Sequence, residues 1–150
     1  HDKVGTGTAP TRAYVVFERA GNVMTGESST ELPTGFQILS PAAEASISRA
    51  TTPAIALTWS NLDAAATMEL EVAGSCADGS RYTLQRSFGG DTGAATLAGA
   101  DYFPASADPA INCRVAIMLH RIRLGGVSPQ FAFGSFQGVQ RRTVQFTSTP

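Results

Sequence analysis

Apolar and polar residues alternate with a period of two along most of this chain, and the alternating runs are broken by clusters of Gly, Pro, Ser, Asn and Asp. A strand turns successive side chains to opposite faces, so these runs predict half-buried β-strands. Ile55, Leu57 and Trp59 alternate with Ala56, Thr58 and Ser60 until Asn61 and Asp63 end the run. Met68, Leu70 and Val72 then alternate with Glu69, Glu71 and Ala73, up to Gly74. Past the Asp78-Gly79 turn come Tyr82, Leu84 and Phe88, a Gly-rich loop over 89–93, and a short run at 94–97. The longest pattern is CRVAIMLHRIRL over 113–124, with Cys113, Val115, Ile117 and Leu119 on one face and Ala116, Met118 and His120 on the other. A last strand over 139–148 turns Val144 and Phe146 inward. Before position 50 the pattern predicts a strand over 13–19 with a turn starting at Gly21-Asn22, and short edge strands over 36–39 and 45–48. Residues 99–112 read as a connection. No window carries a helical stripe with caps, and eight or nine strands at this spacing predict an all-β sandwich.

With 150 residues there is one domain's worth of chain. Residues 1–12 contain a single large apolar side chain, Val4, and are expected to form a flexible arm ahead of one domain over 13–150. Charged residues make up 15% of the chain, and eleven basic against twelve acidic residues leave a net charge of −1. The basic residues are scattered, which argues against nucleic acid as a partner, and no apolar stretch is long enough for a membrane-spanning helix. Lys3 is the only lysine, a bias that fits codon preference in a GC-rich bacterial genome and identifies no ligand. Cys76 and Cys113 stand in neither a C-x-x-C pair nor a His-rich run, so one structural disulfide is expected. Together with a start at His1 and a chain poor in Lys and Glu, this points to an exported protein, periplasmic, outer-membrane-associated or extracellular.

The segment LTWSNLDAAATMELEV over 57–72 resembles the second and third strands of fibronectin type III and related immunoglobulin-like domains, with Trp59 at their core tryptophan position. ATLAGADYF and CRVAIMLHRI are similar to the loop and sixth strand of such domains, and VQRRTVQFTST to the final strand. The resemblance covers about two thirds of the chain and implies a two-sheet sandwich with Trp59 buried against Leu57, Val115, Ile117 and Leu119. In that topology the third and sixth strands run antiparallel, which brings Cys76 and Cys113 to the same end of one sheet. The order of features also resembles small exported bacterial proteins and lipoproteins, a likeness that implies no activity.

Five constellations bear on chemistry. Asp91-Thr92-Gly93-Ala94 spells the tetrapeptide of retroviral-type aspartic proteases, but it follows Phe88-Gly89-Gly90, so a turn with Asp91 bonding nearby backbone N–H groups is the favoured reading. An N-terminal His1 offers an amine and a ring nitrogen to copper, with His120 the one other histidine; this copper protein or oxidase is the alternative to a noncatalytic module. Asp63, Asp78, Asp91, Asp101 and Asp108 all fall in loops, where turn formation outweighs a calcium site. Tyr102, Phe103, Phe131 and Phe133 form a candidate contact surface for a glycan or protein. Arg121, Arg123, Arg141 and Arg142 are expected to make a cross-strand basic stripe beside Glu69 and Glu71. No catalytic set and no cofactor is implied. The expected function is a noncatalytic exported module that binds a protein partner or glycan, or self-associates, at the cell surface.

Overall fold

The computed structural model describes residues 12–19, 22–131 and 134–150. Ten strands and one short helix follow in order: β1 (Arg12–Arg19), β2 (Asn22–Glu31), β3 (Ile38–Ser40), β4 (Ser46–Ser48), β5 (Ala54–Trp59), β6 (Thr67–Cys76), β7 (Arg81–Phe88), β8 (Ala94–Ala98), α1 (Gly99–Tyr102), β9 (Cys113–Leu124) and β10 (Gln137–Thr149). The fold is all-β. A five-stranded sheet in the order β4-β10-β9-β6-β7 faces a three-stranded sheet in the order β3-β5-β8, and β1-β2 forms a separate hairpin. Neighbouring strands are antiparallel except β4, which runs parallel to β10.

The alternating residues create the core by facing one another across the two sheets. Leu57 and Trp59 of β5 and Leu97 of β8 pack with Met68, Leu70 and Val72 of β6, Val115, Ile117 and Leu119 of β9, and Val144 and Phe146 of β10. Several of these are fully buried, each stabilising the fold by about 1.5–3 kcal/mol against an exposed side chain. Trp59 is 4% exposed, as its place in the alternation predicts. At one end of the sandwich, Cys76 and Cys113 sit opposite each other on β6 and β9 and are joined as a disulfide, with Cα atoms 3.9 Å apart.

Two elements differ from the pattern. Asn22–Glu31 is a strand, although the sequence pointed only to a turn at its start. Its sequence, NVMTGESSTE, carries no apolar alternation, and the strand pairs along its length with β1 and meets the sandwich at Ser29, opposite Gly126. That junction is built from polar groups: Ser29 and Gly126 exchange two backbone hydrogen bonds of 2.9 Å, and the Ser128 N–H donates to the Ser28 hydroxyl. The arm expected over 1–12 lies outside the described residues except for Arg12, which opens β1 and pairs with Glu31. Within the connection over 99–112, α1 is a single turn of helix.

Candidate functional site

The sandwich end away from the disulfide is closed by charge. Alternation along β9 carries Val115, Ile117 and Leu119 on to Arg121, so Arg121 points inward and its side chain is completely buried. Its guanidinium meets Asp91 at 2.7 Å, donates to the carbonyls of Thr34 and Ser60, and lies 4.5 Å from the centre of the Phe36 ring. Asp91 is equally buried, and its other contacts come from the Trp59 indole N–H at 2.6 Å and the Asp63 backbone N–H at 2.9 Å. Asp63 in turn accepts from Arg123 at 2.8 Å and from the Thr34 and Ala65 N–H groups, and Arg123 continues to Glu31 on β2. Burial pushes the Asp63 carboxyl up, but the Arg123 and backbone hydrogen bonds outweigh it and hold the pKa at about 2. Burial lowers the Arg121 pKa against the raising effect of Asp91 and Asp63.

This network answers three expectations. Asp91 does sit in a turn with Gly93 at φ +76, but its carboxylate bonds Trp59, Asp63 and Arg121 in place of local N–H groups, so both oxygens are occupied. Asp63 and Asp91 do come together, but with arginines supplying the positive charge. Asp78, Asp101 and Asp108 make local turn and cap hydrogen bonds elsewhere, and among the described residues no group of three or more His, Cys, Asp or Glu is placed to hold a metal ion. The basic stripe does not exist. Arg121 and Arg123 turn toward the sandwich interior, Arg142 donates to the Phe36 carbonyl, and only Arg141 joins the outer face. The charge of Arg121 did not override the alternation of β9, because a carboxylate and two carbonyls meet its two terminal nitrogens in place, although its Nε stays buried without a hydrogen-bond partner. Extending the apolar face from Leu119 by two residues was the sequence signal for it.

The aromatic surface also dissolves in part. Tyr102 is fully buried, donates its hydroxyl to the Thr52 carbonyl at 2.7 Å and meets Phe146 edge to face, so it belongs to the core. Phe103 is half-buried beneath the Arg49 guanidinium, 4.0 Å above its ring. The half-buried Phe131 sits in a turn closed by its N–H and the Ser128 carbonyl, and Phe133 lies outside the described residues. So does His1, while His120 is half-buried on the outer face of the five-stranded sheet.

On that outer face several charged side chains lack a partner among the described residues, whereas Arg114 donates to the Gln145 side-chain oxygen at 3.0 and 3.2 Å. The register sets them in four cross-strand rungs over β10, β9, β6 and β7: Arg141, His120, Glu69, Ser87; then Thr143, Met118, Glu71, Gln85; then Gln145, Ala116, Ala73, Thr83; then Thr147, Arg114, Ser75, Arg81. Glu69, Glu71 and Arg81 have no ion-pair partner among the described residues, and Arg114 reaches Glu44 only at 3.7 Å with both side chains largely exposed. The Nε2 atom of His120 is buried without a hydrogen-bond partner. Two shallow depressions lie on this face. One, of about 270 Å³, is lined by Glu69, Glu71, Gln85, Ser87, His120 and Arg86, whose guanidinium is paired with Asp101. The other, of about 320 Å³, is lined by Arg81, Arg114, Ala73 and Ala116.

No family model matches the chain, and neither the curated proteins nor the solved structures hold a match to it.

Proposed function

We propose that this chain is a noncatalytic, exported module of the cell envelope or extracellular space that works by binding or assembly. The observation that carries the reading is the disulfide between Cys76 and Cys113, whose two residues are both buried across central strands. Disulfides persist in oxidising compartments and are rare where glutathione and thioredoxin keep thiols reduced. The noncatalytic part is supported by Asp63 and Asp91, whose oxygens are held by arginines, an indole and backbone N–H groups. Among immunoglobulin-like sandwiches the fibronectin type III kind is the proposed relative. Trp59, buried on β5 between the two sheets, supports it. The binding part is supported by the outer face of the five-stranded sheet, where charge stands unpaired beside two depressions.

The test is the thiol state in cells. Cells producing the protein are quenched in acid and treated with a thiol-reactive mass tag, before and after reduction. The expected result is no tag before reduction and two tags after it. Two tagged cysteines before reduction contradict export.

A further inference from the structure

The outer sheet face is acidic at one end and basic at the other, with a small-residue middle. Glu69 and Glu71 stand on adjacent rungs at one end, Arg81 and Arg114 share the last rung at the other, and Ala73 and Ala116 fill the rung between. Among the described residues Glu69, Glu71 and Arg81 have no ion-pair partner and Arg114 meets only Glu44 at 3.7 Å; Arg141, on the Glu69 rung, reduces the negative charge of the acidic end without reversing its sign. We propose that this face docks on the same face of a second copy of the chain, related by a two-fold axis that lies in the interface, perpendicular to the strands.

Such an axis, passing between the Glu71–Met118 rung and the Ala73–Ala116 rung, reverses strand direction and keeps each column over its own copy. Arg81 and Arg114, on the strands flanking β6, then bracket Glu69 of the second copy. Met118 lies over Ala116, a large side chain over a small one, and Glu71 lies over Ala73. By symmetry every contact is made twice. Each depression beside Glu69 and Glu71 receives arginine heads, whose fork of N–H donors matches two carboxylates together with the Gln85 and Ser87 acceptors, while the charge of Arg86 in its wall is taken up by Asp101. Arg114's contacts in the monomer, with Glu44 at 3.7 Å and with the Gln145 side-chain oxygen at 3.0 and 3.2 Å, are all exposed and give way at little cost. Four strands about 4.8 Å apart and seven residues rising about 3.3 Å each give a face of roughly 440 Å² per copy. That is the low end of interface sizes, so the dimer is a weak one. The inference rests on the reading of the chain as an assembly module and names its partner; the thiol test stands without it.

The experiment is sedimentation velocity on the full chain over roughly 5 to 500 μM, a range that spans weak association. Wild type is expected to shift from monomer to dimer. Two charge-reversed variants, Glu69→Arg with Glu71→Arg and Arg81→Glu with Arg114→Glu, should each stay monomeric, weakened at least about tenfold by like charges across the interface. Mixed in equal amounts they should form a heterodimer, since each then offers what the other lacks. Thermal midpoints within a few degrees of wild type confirm that both variants fold. A wild type that remains monomeric, variants that dimerise as well as wild type, or folded variants that fail to associate when mixed would each overturn the proposal.

Discussion

Arg121 occupies the position where an apolar residue would complete the row of Val115, Ile117 and Leu119, and it brings a full charge into the end of the core. Taking two charges out of water is costly, and the pair with Asp91 offsets that cost only while both partners remain. Replacing Arg121 by Met leaves a carboxylate buried without its cation. Chemical denaturation should show a loss of about 3–5 kcal/mol. Adding Asp91→Asn should recover part of it, because the amide oxygen still accepts from Trp59 while the stranded charge is gone. Asp63 gives a second readout at this scale. Its pKa is depressed to about 2 in the folded state from an ordinary 3.8, so its contribution is complete above pH 4 and is lost as pH falls through 2. The shift corresponds to about 2 kcal/mol, and the fall in stability between pH 4 and 2 should be shallower by that amount in Asp63→Asn. A pH profile unchanged by the substitution would show that Asp63 is not held in this way. These contacts were only half legible in the sequence. Alternation alone places Arg121 inward, but its partner lies thirty positions away in a loop of Gly and Asp whose residues carry no periodic signal.

At the scale of elements, β5 to β10 could be read from the sequence because each buries one face, and burial on one face is what writes alternation into a strand. β2 could not, since it is held by backbone pairing to β1 and by hydroxyls at its junction with Gly126 and Ser128, and such bonds leave no mark in hydropathy. The pairing of β6 with β9 and β7 is fixed by two devices that substitution can separate. The disulfide closes a separation of 37 residues, and replacing both cysteines by Ala should cost about 4 kcal/mol on a chain-entropy model, read as a lower denaturation midpoint. Gly74 is the other. Its partner Tyr82 lays its ring where a Cβ at Gly74 would stand, and the Tyr82 hydroxyl donates to the Tyr102 carbonyl, so the ring cannot swing away without losing that bond. Gly74→Val should therefore destabilise by about 1–3 kcal/mol through overpacking, and truncating Tyr82 to Ala in the same chain should relieve the clash. If Gly74→Val leaves the midpoint unchanged, the ring does not sit over the glycine.

For the whole molecule, two sets of charged residues stand apart. Arg121, Arg123, Asp63 and Asp91 face inward and close one end of the sandwich, where they tie β9 and the 60–63 and 91–93 loops to β2 through Glu31. Glu69, Glu71, Arg81 and Arg114 face outward on the five-stranded sheet, where among the described residues the first three make no ion pair and Arg114 makes only exposed contacts with Glu44 and Gln145. The first set maintains the fold and the second meets a partner. Sedimentation velocity on Arg121→Met beside the Glu69→Arg, Glu71→Arg variant, each with its thermal midpoint, tests that division most directly. The account predicts that Arg121→Met melts several degrees lower yet dimerises like wild type while folded, and that the outer-face variant melts like wild type yet stays monomeric. An outer-face variant that loses stability and keeps its association, or a folded Arg121→Met protein that loses its association, would contradict it.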